Sequence, residues 1–399
     1  VDAGLSSLAG FAASLYAVRT LEGAALGAYS LSVSASLVAG LFAQHLLFLP
    51  SQIAALGAPR PARFAILGPT LARGGVLSAL AAPFAAGAGL VLGDEVSTST
   101  LVALGTGAAM LTVVAPLQDH VRSTLHLAGE HTGAASVSGV QLLFTVGALG
   151  CFVLLDLPEA WVPLSALALG AAASALYGLK LSRASTAGGF ECPPTSTLVR
   201  TGMALLPAAL IQEAAIFASA ATLASLASAA ALGSAEAARI VARPVQAFSL
   251  GVSRVLAPPL MEAGQARSRS VAALTARRYV AALGSAGLLY LAITGWPHPL
   301  NPFEAIAPAA YAEEGLAALF IVATLAGAIA QIPRGILLGA SEGKAVLAIT
   351  AVASASRLVV VALLAASIGA YALPVAQLGT AALSGALGVR TTRRLLGRP

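Results

Sequence analysis

Long apolar runs broken by short polar joints are the dominant pattern of this chain. A helix needs about 20 apolar residues to cross a bilayer, and the sequence offers twelve such runs. They fall at roughly 3–20, 24–48, 69–92, 97–122, 134–156, 160–182, 198–226, 230–257, 271–293, 312–338, 345–369 and 371–394. No basic leader precedes the first run, so it reads as a span like the others and not as a cleaved signal. Several runs exceed the minimum length, which predicts tilt or interfacial ends.

Composition turns this pattern into a class. The 399 residues are 58% hydrophobic and only 10% charged, with a mean hydropathy of +0.88. Soluble domains carry about 25% charged residues, so the prediction is an all-α integral membrane protein. The net charge of +6 does not point to nucleic acid, because the basic residues alternate from joint to joint. One set of joints holds 17 of the 22 lysines and arginines, among them Arg60, Arg63, Arg122, Arg183, Arg267 and Arg334. The other set holds Arg19 with Glu22, Asp94, Glu95, Asp156, Glu159, Glu304, Glu313 and Glu314. Basic joints face the cytoplasm, which places both termini there, as an even number of spans requires. The expected location is the plasma (inner) membrane, crossed many times.

The stretch Arg183–Thr197, "RASTAGGFECPPTST", is the sharpest composition shift and reads as a cytoplasmic linker. It separates an N-terminal lobe, 1–182, from a C-terminal lobe, 198–399. The halves echo each other. "AALGAYSLSVSASLVAG" from Ala24 matches "AALGSAEAARIVARPVQ" from Ala230, and Gln118 with Arg122 matches Gln331 with Arg334. The expected fold is therefore a parallel repeat, two pseudo-symmetric six-helix lobes around a central cavity.

Charge inside the spans is where chemistry is expected. Glu236, Arg239 and Arg243 lie at i, i+3 and i+7, hence on one helix face. A charge near the middle of a lipid-facing helix costs about 2.5–3.5 kcal/mol on the mildest scale, so this face is expected to line protein or a water-filled cavity. Two guanidinium forks suit a phosphate or diphosphate; an ion pair with Glu236 or Glu213 is the structural alternative. Glu213, a lone acid in "ALLPAALIQEAAIF", reads as an arginine's charge partner or a proton carrier. Arg357, in "ITAVASASRLVVVALL", is a further candidate for the cavity wall, while Arg254 reads as snorkelling to headgroups. Pro207, Pro244 and Pro333 predict kinks.

Other strings carry less. "GASEG", Gly339 to Gly343, matches G-x-S-x-G but sits in a joint without a strand before it, so no catalysis is expected. His120, His126 and His131 read as solvated loop residues without metal spacing. Cys151 and Cys192 fall at opposite membrane faces and predict no disulfide. No phosphate-binding loop is present; neither an enzymatic activity nor a cofactor is expected.

The opening "GLSSLAGFAASLYAVRTLEGAALGAYSLSVS" resembles the start of polysaccharide-biosynthesis flippases of the O-antigen type, within the multidrug, oligosaccharidyl-lipid and polysaccharide exporter superfamily. Asp2, Leu5, Ser6, Ser7, Phe11, Arg19 and Gly27 fit; Gly10 stands where Asn is usual, and "LEGAALG" replaces the usual turn. "LGSAEAARIVARP" is similar to the family's eighth span and "LQDHVRSTLHLAG" to the end of its fourth. The resemblance implies a transporter that flips an anionic lipid-linked oligosaccharide to the outer leaflet by alternating access. Its partners would be a polyprenyl-diphosphate-linked glycan, the lipid bilayer and glycan-assembly membrane proteins. Two other functions fit the same architecture, a cation-coupled multidrug exporter and a transport-inactive scaffold for glycan assembly.

Overall fold

The computed structural model describes residues 2–183, 191–295, 301, 306–308, 311 and 314–397. Residues 184–190 of the linker, Glu304, Glu313 and Arg398 lie outside the described residues. Those described form twelve long helices and no strand. They are α1 (Asp2–Thr20), α2 (Gly23–Ala55), α3 (Leu67–Gly87), α4 (Thr98–Ala128), α5 (His131–Leu154) and α6 (Val162–Arg183), then α7 (Thr195–Leu226), α8 (Ala229–Gln265), α9 (Arg269–Thr294), α10 (Glu314–Gly339), α11 (Gly343–Ile368) and α12 (Ala372–Leu396). Among the described residues eight segments are long and apolar enough to cross a membrane, and one of them, Gly343–Leu396, contains both α11 and α12. A π-helical turn, Gln44–Phe48, widens α2.

The helices run past the expected spans on the basic side. α4 reaches Ala128 and not 122, and α8 reaches Gln265 and not 257. Arg122, expected in a joint, is therefore a helical residue. Basic side chains near helix C-termini complement the last carbonyls. Arg63 does so for two helices at once. It donates to the carbonyls of Leu56 and Ala58, just beyond α2, at 3.0 and 2.9 Å, and to Leu127 at the end of α4 at 2.5 Å. All three bonds go to main-chain carbonyls.

The chain divides into two compact units, Val1–Phe217 and Ala218–Pro399, with the division inside α7. Their internal clusters share a register. In the first unit Leu125, Ala128, Ala134 and Val137 pack where α4 turns into α5. In the second, Leu337, Ala340, Val346 and Ile349 pack where α10 turns into α11. The turns correspond too. Gly129 has φ 86°, and its counterpart Ser341 has φ 61°; Glu130 and Glu342 are the residues preceding the next helices. This constant offset pairs Arg122 with Arg334 and Asp119 with Gln331. The expected match of Gln118 to Gln331 is off by one residue. "GASEG" is the α10–α11 turn, with helix on both sides.

α8 and α10 approach backbone to backbone. A Cβ on Gly264 would lie 2.1 Å from the Ile336 carbonyl oxygen, and one on Gly339 would lie 2.0 Å from that of Met261. Only glycine allows this crossing at both positions. The helices carrying Pro207, Pro244 and Pro333 continue through them.

Candidate functional site

α8 begins at Ser228, whose side chain accepts a hydrogen bond from the Ala231 amide at 3.0 Å. The alanines that follow are strong helix formers, and Ala235, Ala237, Ala238 and Ala242 are buried. Small side chains let α9 and α10 pack closely on α8. Glu236 sits among them with its side chain only 1% exposed.

A buried carboxylate needs charged partners, and Glu236 has two on its own helix. Arg239 donates through Nε at 2.8 Å to Oε2, and a terminal nitrogen lies 2.5 Å from the same oxygen. Arg243 donates to Oε1 at 3.3 Å. The arginine side chains remain 33% and 22% exposed. One carboxylate thus orients two guanidinium groups one helical turn apart, and the three groups together carry one net positive charge. By the sequence match of Ala24 to Ala230 the corresponding residues of α2 are Ser30, Val33 and Leu37, so α2 carries no such triad.

Immediately after Arg243, Pro244 has no N–H to donate back along the helix. The Tyr290 hydroxyl of α9 donates to the Val241 carbonyl at 2.7 Å, and Tyr279, also on α9, is hydrogen-bonded to Ser253. These two tyrosines support α8 on either side of the proline, and neither stands out in the sequence.

Two other candidates lie on α11 and α7. Arg357 lies on α11, which packs on α12 and α10, and α10 packs also on α8. Glu213 lies half-buried on α7, within the first unit.

The histidines correct the sequence reading. His120 is not a loop residue; it lies within α4 and is 1% exposed. Gln52 of α2 meets its Nδ1 at 3.0 Å and Thr70 of α3 meets its Nε2 at 2.8 Å, while Phe48 stacks on the ring at 4.2 Å. It is a satisfied core residue that joins three helices. His126 Nε2 is 2.8 Å from Oδ2 of Asp2, the first residue of α1. Ser138 of α5 donates to Oδ1 of Asp2, and Arg122 donates to Asp119 at 2.6 Å. Ser6 and Gln118 both donate to the Gln141 side-chain oxygen at 3.3 Å. Among the described residues no group of histidine, cysteine and acidic side chains could hold a metal. Both cysteines are free.

No protein-family model matches the sequence, and no curated protein matches it. Solved structures match its fold. The chain is similar to an inward-facing multidrug resistance MATE family transporter of the MOP superfamily, with a TM-score of 0.73 at 13% identity over 98% of this chain and 94% of that one. It is similar to the lipid II flippase MurJ in an inward closed conformation, with a TM-score of 0.64 at 12% identity over 100% and 87%. It is also similar to the MATE multidrug transporter DinF-BH, with a TM-score of 0.64 at 12% identity over 100% and 94%. At these identities the likeness establishes the fold.

Proposed function

We propose that this protein transports an anionic, lipid-linked oligosaccharide from the cytoplasmic to the outer leaflet by alternating access. The carrying observation is the triad, in which buried Glu236 turns the forks of Arg239 and Arg243 into one array with net charge +1. Arginine forks match diphosphate oxygens bidentately, and a fixed positive site favours an anion over a cation. In this reading Arg239 and Arg243 hold the diphosphate of a polyprenyl-linked glycan, and Glu236 is their positioning residue. Glu213 and Arg357 are assigned secondary places along the path. The fold shared with a lipid II flippase supports the reading. The membrane is the inner one, with both termini cytoplasmic, as the basic joints indicate; glycan-assembly membrane proteins would be its neighbours there. Membrane potential can drive the step, since one elementary charge is worth about 2.3 kcal/mol per 100 mV.

The second reading, a cation-coupled multidrug exporter, rests on the fold shared with MATE transporters. One experiment separates the two. The full chain in vesicles is given a fluorescent polyprenyl-diphosphate sugar or a cationic dye, with and without an imposed potential. Potential-dependent appearance of the sugar lipid in the opposite leaflet, lost in Arg239→Ala, supports the flippase. Dye accumulation that survives Arg239→Ala supports the exporter.

A further inference from the structure

The first unit carries a cluster of titratable groups that the proposed transport step does not use, at the end of the bundle where α1 begins, α4 ends and α5 begins. Asp2 of α1 is its centre and is buried. Its Oδ2 faces His126 Nε2 of α4 at 2.8 Å, its Oδ1 takes the Ser138 hydroxyl of α5, and Arg122 of α4 stands 4.0 Å from Oδ1. His126 in turn faces His131 of α5, with the two Nδ1 atoms 3.2 Å apart. The other charged groups on the neighbouring elements are Asp119, bonded to Arg122, then Arg60 beside Gly129, Arg63 on the Leu127 carbonyl, Glu130 and Lys180.

The hydrogen-bonding roles follow from chemistry. A carboxylate only accepts, so when both imidazoles are neutral His126 carries its proton on Nε2 and presents Nδ1 as an acceptor. His131 must then donate from its own Nδ1. The chain runs Asp2 carboxylate, His126, His131. One further proton can be accommodated at Nε2 of His131, which makes an imidazolium whose Nδ1–H bond to His126 strengthens and polarises His126 toward Asp2. No bond of the chain breaks on this uptake. A proton gained at the exposed end therefore tightens the bond that fastens α1 at the buried end. Ser6, one turn further along α1, holds the same helix to Gln141 through a contact that does not titrate.

The second unit shows that the scaffold does not need this chain. At the constant offset His126 corresponds to Leu338, Asp119 to Gln331 and Ser138 to Thr350, and the α10–α11 turn packs without them. The structure assigns to Asp2, His126 and His131 a proton-binding latch that controls how firmly α1 is held against α4 and α5. It is independent of the anion site on α8 and of the reading of that site.

Gly4 of α1 is exposed, with nothing within 4 Å of a Cβ built on it, so it takes a reporter without disturbing the packing. The full chain carrying Gly4→Cys, Cys151→Ser and Cys192→Ser is spin-labelled and reconstituted in vesicles. Label mobility is read by electron paramagnetic resonance from about pH 5 to about pH 8, the interval in which imidazole charge changes. The expected result is a label that becomes less mobile as pH falls, with the response abolished in His131→Asn. His131 is exposed, so this change leaves the core intact. Asp2→Asn is expected to leave the label mobile throughout. A line shape that does not vary with pH overturns the proposal, as does a full response in His131→Asn.

Discussion

Arg239 grips Glu236 side-on, with Nε and a terminal nitrogen both on Oε2, while Arg243 holds the opposite oxygen. The two arginines are therefore not equivalent. Arg239 commits more of its fork to the carboxylate, and Arg243 meets it at the longer distance of 3.3 Å. For Arg243→Ala we expect binding of a polyprenyl-diphosphate lipid to weaken roughly tenfold to a hundredfold, the equivalent of a charge-assisted bond worth about 1.5–3 kcal/mol. Arg239→Lys should keep partial transport, because the charge remains while the planar fork is lost. Equilibrium binding and leaflet transfer in vesicles check both.

Structural pairing and substrate binding separate in a double variant. Breaking one side of a buried pair costs about 3–5 kcal/mol because the other charge is stranded. Arg243→Gln combined with Glu213→Gln should restore expression relative to Arg243→Gln if those two residues pair, yet leave transport lost if Arg243 binds phosphate. Full recovery of transport would remove Arg243 from the binding site.

Cys192 reports topology and local packing together. It leans on the cluster of Ala43, Leu47, Phe48 and Leu198, and burial raises its thiol pKa while Arg73 opposes the rise. The thiolate is the reactive form. Labelling by a membrane-impermeant maleimide should therefore occur only from the basic side, be slow at neutral pH and accelerate as pH rises. Arg73→Ala removes the opposing charge and should slow the neutral-pH reaction further. Reaction from the other side would invert the topology.

Arg63 satisfies carbonyls at the ends of two helices. Each bond to a charged donor contributes about 1.5–3 kcal/mol at most and less where water can replace it. Arg63→Ala should lower stability by roughly 2 kcal/mol, seen as a lower Tm in detergent, and Arg63→Lys should not restore it because one ammonium cannot reach three carbonyls.

Gly339 and Gly264 make the α8–α10 crossing. Gly339→Val must push Met261 and its backbone away, since even a Cβ would sit 2.0 Å from a carbonyl oxygen. The expected outcome is a destabilisation of about 3 kcal/mol or failure to accumulate. Gly343→Val, where nothing lies within 4 Å, should be tolerated. Thermal unfolding of both variants in detergent checks the contrast.

Much of this molecule is written locally along the chain. Apolar run length and the alternation of basic joints are properties of neighbours in sequence, so the helix number and the all-helical class were legible, as was the repeat of "AALG" at Ala24 and Ala230, which begins α2 and α8 one residue after their first positions. The face shared by Glu236, Arg239 and Arg243 was legible for the same reason, because a helix converts spacing directly into direction. What the tertiary structure decided is how distant groups meet. Asp2 and His126 are 124 positions apart, and nothing local says that α1 starts where α4 ends. His120 looked like a loop residue because it stands at the end of the expected 97–122 span, beside His126 and His131. Its burial was not legible, because the partners that satisfy it, Gln52, Thr70 and Phe48, come from two other helices.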